Sequence, residues 1–224
     1  MRPADETILV PEPGAPTRRH AAGEDPAKRD QILEGARRVF MEQGYDVASM
    51  NDICRAAGVS KGTIYVYFEN KEELFVSLIE RERDRLFLDT EQLLASDLPL
   101  AEKLRRFAAR LAGIVCSDEG VRAQRILIAT AQRMPELGAR FYDGGPKRTQ
   151  DALAALLARE VEAGRLRIGD VTVAAAQFVA LATAGIWRPR LFGKDPEPPS
   201  AEAVGVIADA AVAMFLAAHG VEER

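Results

Sequence analysis

Residues 49–71, SMNDICRAAGVSKGTIYVYFENK, constrain this chain more than any other stretch. Serine is a strong helix N-cap, and Ser49 with Asp52 three residues later makes a capping-box pattern. Ile53, Ala56 and Ala57 then give a short helix one apolar face. Gly58 ends it, because glycine takes the left-handed conformation past a helix end at little steric cost. Ser60 caps a second short helix only a few residues on. Helix, tight turn, helix is the spacing of a helix-turn-helix, whose second helix reads a DNA groove.

That second helix, residues 61–67, is too short to persist alone. Ile64 and Phe68, one turn apart with Val59 beside them, must pin it to other helices. At roughly 100° per residue, Gly62 and Val66 fall opposite Ile64, with Thr63 and Tyr65 on the flanks. Such a face lets backbone approach a groove, with Val66 against a thymine methyl and hydroxyls toward bases or phosphates. The candidate DNA contacts are Ser49, Met50, Ser60, Lys61, Gly62, Thr63, Tyr65, Val66, Tyr67 and Lys71. Asn70 caps the next helix, Glu73 fits a second capping box, and Lys71 at that helix start is expected to attract a phosphate.

The run GVSKGTIYVYFENKEELF closely resembles the DNA-binding domain of the tetracycline-repressor (TetR) family. The matching residues are Gly58-Val59-Ser60, Gly62-Thr63-Ile64-Tyr65, Tyr67-Phe68 and Lys71-Glu72-Glu73-Leu74, within a resemblance covering about residues 28–75. It implies an all-α protein: an N-terminal three-helix helix-turn-helix domain and a larger C-terminal helical domain for ligand binding and dimerisation. It further implies a homodimeric regulator, in most members a repressor that leaves its operator when a small molecule binds.

Charge does not advertise a nucleic-acid partner. The net charge is −4, and residues 26–73 hold seven Lys or Arg against eight Asp or Glu. Affinity for double-stranded DNA must come from the placement of Lys61, Lys71, Arg55 and helix ends. Cys54 and Cys116 share no metal-ligand spacing, and Cys54 reads as a small core residue, with a redox switch as the alternative. His20 and His219 lie near opposite ends, so no metal site or cofactor is expected. No secretory signal and no apolar run of bilayer-spanning length is apparent, which points to a cytoplasmic protein without a membrane partner.

Residues 1–24 hold prolines, glycines and charges without periodicity and read as a disordered arm. Arg18 and Arg19 are either solvated or within reach of a minor groove. The DNA-binding domain is assigned to residues 25–75, opened by Asp25-Pro26 and with its first helix stopped at Gly44. The C-terminal domain is assigned to residues 76–224. A helix from Asn70 to about Leu94 connects the two, and its tilt would move the reader. Pro99 and Pro135 begin further segments, and Asp118 is read as the cap of another that is expected in the middle of the domain. Gly144-Gly145-Pro146 reads as a break or kink. Asp170 caps a helix running to Trp187, and Ser200 caps the last one. Both carry more small apolar residues than one subunit needs. A four-helix bundle across a two-fold axis would use them, setting two reader helices on a palindromic operator.

A ligand cavity is expected among residues 100–190, walled by Phe107, Leu111, Ile128, Met134, Phe141, Tyr142, Phe178 and Trp187; the same residues also suit a filled core. Such walls would take a small hydrophobic ligand. No Ser-His-Asp grouping, metal spacing or phosphate loop supports an enzyme. The alternative to a ligand-released repressor is a ligand-independent or partner-controlled DNA binder of the same fold.

Overall fold

Seven of the described helices start on a side-chain cap. The computed structural model describes residues 25–132 and 135–221; the expected arm with Arg18 and Arg19, and the expected pocket residue Met134, lie outside the described residues. Asp25 accepts from the N–H groups of Ala27 and Lys28 and opens α1 (Pro26–Gln43), with Pro26 at its first position. Ser49 and Asp52 form the reciprocal box that opens α2 (Met50–Ala57). Ser60 opens α3 (Lys61–Tyr67), and Asn70 opens α4 (Lys71–Ala95). The second capping box differs from expectation: the Glu73 carboxylate accepts from the N–H of Glu69, 2.6 Å away, one residue before the cap.

The C-terminal bundle comprises α5 (Leu100–Val115), α6 (Asp118–Ala131), α7 (Pro135–Tyr142), α8 (Arg148–Glu162), α9 (Val171–Ala182), α10 (Trp187–Leu191) and α11 (Ala201–His219). Three local expectations need correction, and that of a break or kink at the glycine pair is sharpened. Ser117 caps α6, accepting from Gly120 N–H at 2.9 Å, while Asp118 turns to pair with Arg190. Gly144-Gly145-Pro146 does not break the chain. Proline lacks the helical N–H, and the chain absorbs it in one widened π turn, Asp143–Lys147, between α7 and α8. The helix capped by Asp170 stops at Ala182, because Gly185 adopts φ 79° before α10 begins. Finally, α6 flanks the bundle rather than filling its middle: Leu127 is buried against the N-terminal core while Ile128 is 63% exposed.

Two hydrophobic cores result. The N-terminal one gathers Ile32, Leu33, Phe40, Tyr45, Ile53, Ile64, Phe68 and Phe75 from α1 to α4. Helices α1 and α2 approach so closely that a Cβ on Gly35 would lie 2.6 Å from that of Ala57. The second gathers Leu104, Phe107, Leu153, Leu157, Phe178 and Phe215 with Ala108, Ala174, Ala175, Ala208 and Ala211.

Helices α4 and α6 join the two parts. Arg37 on α1 pairs with Glu119 on α6 at 2.9 Å, and Arg122 on α6 donates to Met41 O near the end of α1. Arg81 on α4 pairs with Glu34 at 3.5 Å. Arg37, Glu119, Arg81 and Glu34 line an open polar cleft of about 550 Å³ together with Asp30 and Glu82. The other side of α6 holds α10: Trp187 donates to Gln124 at 2.8 Å, and Arg125 donates to the carbonyls of Leu191 and Arg190.

Contrary to expectation, one helix among the described residues is long and apolar enough to cross a membrane by length and composition. It is α11, with 28% of its most apolar window buried in the chain. Its buried side is Val204, Ala208, Ala211, Val212 and Phe215, of which the last four belong to the second core.

Candidate nucleic-acid interface

Helix α3 is held as its length requires. Ile64 is fully buried and Phe68 is 1% exposed, both within the N-terminal core. Arg29 on α1 lies 5.3 Å over the Phe68 ring, an added cation–π contact. The preceding turn is fixed from α2: Gly58 takes φ 65°, and its N–H returns to the helix carbonyls. Gln31 donates to Ala57 O at 2.7 Å and Arg38 donates to Ala56 O, so α1 also supplies donors for the last carbonyls of α2.

With its back pinned, α3 presents the face that helical period assigned to it. Tyr65 is 47% and Val66 51% exposed, and Lys61 and Gly62 are exposed beside them. Tyr67 and Thr63 are half-buried on the flanks. The hydroxyls of Ser60 and Thr63 bond to each other at 2.7 Å, and Ser60 also accepts the Thr63 N–H. Ser60 is therefore first a cap, and the Ser60–Thr63 pair offers one hydroxyl proton outward. Ser49 is exposed and Met50 half-buried at the start of α2.

Lys71 is placed otherwise than expected. Its ammonium donates to the carbonyls of Tyr45, Asp46 and Ala48 and stacks on the Tyr45 ring. A lysine has three such protons, and three carbonyls lie within reach of them here. Conversely, Val47 in the link between α1 and α2 was not among the candidates and is 74% exposed. Its one sequence signal was an aliphatic residue in a turn that follows a helix stop.

Residues 32–78 match the family "Bacterial regulatory proteins, tetR family", and residues 102–221 match "AefR-like transcriptional repressor, C-terminal domain". The transcriptional repressor AcnR of Corynebacterium efficiens is 31% identical over 151 residues, spanning 66% of this chain and 73% of that protein. The chain belongs to the TetR family. It is a DNA-binding regulator. Among solved structures, a TetR-family regulator from Mesorhizobium loti superposes with TM-score 0.78 at 29% identity, covering 87% of this chain and 98% of that one. The flavonoid-responsive regulator FrrA does so with TM-score 0.70 at 32% identity, covering 89% and 100%. The first curated relatives align over only about a third of their length, 32% to 36%.

In this TetR-family chain the expected ligand walls are not one surface. Phe107 and Phe178 are buried with ring centroids 6.2 Å apart, and Leu111 packs on the same core. Phe141 instead packs against the N-terminal core. Ile128 and Tyr142 are exposed at 63% and 55%. Trp187 is half-buried, its indole N–H spent on Gln124. Size and apolarity could not tell which of two cores a residue joins. Both cysteines are free and buried, and burial pushes the Cys116 thiol up, away from the reactive thiolate.

Small apolar residues also remain uncovered. On α9, Val173, Ala176, Ala180 and Ala184 just beyond it are exposed along one side. On the adjacent α11, Val206, Ala210, Ala213, Met214 and Ala217 repeat at helical spacing, with Val206 64% and Met214 60% exposed.

Proposed function

We propose that this protein is a cytoplasmic homodimeric repressor that binds a palindromic operator and leaves it when a small hydrophobic ligand enters the C-terminal bundle. The observation that carries the reading is the outward face of α3, Gly62, Tyr65 and Val66, backed by wholly buried Ile64. Dimerisation is supported by the paired apolar stripes of α9 and α11, an area too coherent to be scattered surface residues. On this reading, the outer side of α11 is rich in small apolar residues because a second subunit covers it. Two copies about one helical turn apart make the operator a palindrome.

The repressor sense is supported by the family matched over residues 102–221 and by AcnR. Ligand response is supported by FrrA, a flavonoid-responsive regulator, and suggests an aromatic or amphipathic inducer. The domain roles follow: residues 25–75 read DNA, and residues 76–224 bind ligand and partner. Helices α4 and α6, both anchored on α1, are the connections through which ligand would move the reader.

Fluorescence anisotropy on the DNA flanking the reading frame tests this. Expected is saturable binding of one dimer per site, lost steeply as salt rises. Val66→Ala should weaken it about tenfold through the thymine-methyl contact while leaving thermal stability unchanged. Planar hydrophobic compounds should release the DNA. Binding that no such compound relieves would instead favour the ligand-independent DNA binder of the same fold.

A further inference from the structure

The side chain of Lys71 begins α4 but turns back to the link between α1 and α2. Its ammonium lies 2.8 Å from Tyr45 O, 3.0 Å from Ala48 O and 3.3 Å from Asp46 O. The Tyr45 ring, itself buried against Phe40 and Phe75, closes the remaining side at 4.4 Å. Three carbonyl oxygens converging on one point repel each other unless a cation sits between them, so the shape of residues 45–48 depends on this ammonium. Val47 is held outward in the same turn, and Ser49, the cap of α2, follows it directly.

We propose that Lys71 is a positioning residue for operator binding. It acts through the 45–48 turn, setting Val47 and the start of α2 against the duplex, and does not neutralise a phosphate. This rests on the DNA-binding reading given above.

The test compares Lys71→Arg and Lys71→Met with the wild-type dimer, measuring operator affinity across a salt series and amide hydrogen exchange without DNA. Arginine keeps the charge and is the better phosphate partner, but its planar fork does not fit three converging carbonyls. Expected for Lys71→Arg is roughly tenfold weaker binding with an unchanged salt slope. Exchange should quicken at residues 46–49, with the melting temperature of the bundle unmoved. Lys71→Met should show the same pattern, more strongly; if it fails to fold, Lys71→Arg alone decides. Wild-type affinity in Lys71→Arg would overturn the proposal. So would a salt slope reduced by about 0.9 per subunit in Lys71→Met, the signature of a lost phosphate contact, or unaltered exchange at the turn. A wild-type protein that binds no DNA would sink the interface reading itself, and is a different result from tight wild-type binding to which Lys71→Arg is indifferent.

Discussion

From α1 to the start of α4, the core is closed by large rings: Phe40, Tyr45 and Phe75 touch one another, with Phe68 and Ile64 beneath α3. In the C-terminal bundle, three phenylalanines in a row, Phe107, Phe178 and Phe215, are surrounded largely by alanines, leucines and valines. The difference shows at the surface. The first unit covers its apolar residues within one chain, apart from the few offered on α3 and at Val47. The second leaves two helices with an apolar outer side. Large side chains complete a small core without help, whereas small ones let two helix surfaces approach closely and so favour completion by another copy.

The largest effect that would break this contrast is at the centre of the bundle. Phe178 is fully buried between Phe107 and Phe215, so Phe178→Ala should cost about 3–5 kcal/mol in urea denaturation. A loss under 1 kcal/mol would mean that the alanine-rich core is not tightly packed. Next is Ala213→Arg on the exposed stripe of α11. Sedimentation equilibrium should show association weakened about 100-fold or more with helix content retained, since a long charged side chain would be forced into a seam of small residues. An unaffected dimer would move the interface elsewhere. Gly35→Ala sharpens the other side: the added methyl meets Ala57, and overpacking should cost about 1–3 kcal/mol by thermal melting of the N-terminal helices. The smallest effect is acid sensitivity at the joint. A hydrogen bond from Arg37, reinforced by the charges of Arg37 and Arg81, holds the Glu34 carboxyl below its ordinary value. A lowered folded-state pKa stabilises above the unfolded carboxylate pKa, about 4.3 for glutamate, and that stability fades as pH falls through the lowered value. Glu34→Gln should flatten this part of the acid limb of a pH–melting profile; because Glu34 is partly exposed, the change should be small.

Sequence carried the local determinants well. The caps at Asp25, Ser49, Ser60, Asn70, Asp170 and Ser200 all operate as hydrogen bonds, because a cap and its target lie within three residues. The outward face of α3 followed from two apolar residues and the helical period. What escaped was long-range. Lys71 finds partners 23 to 26 residues away. Arg190, in a loop-like run of prolines and charges, is 4% exposed and bonds Cys116 O, Asp195 O, Pro196 O and Asp118. Nothing local distinguishes either from a solvated cation. The expected ligand walls fall on different surfaces for the same reason: helical spacing tells that a residue faces inward, not which neighbour it meets.

The widened turn between α7 and α8 bears on α4 at Arg83, whose side chain lies against Gly144 and Gly145. Twelve residues of continuous helix separate Arg83 from Lys71, roughly 18 Å at 1.5 Å per residue. Over that lever arm, a swing of about 5° at the glycine pair is amplified to roughly 1.5 Å at the ammonium. Bonds of 2.8–3.3 Å to three carbonyls cannot absorb such a stroke without the loop before α2 following it.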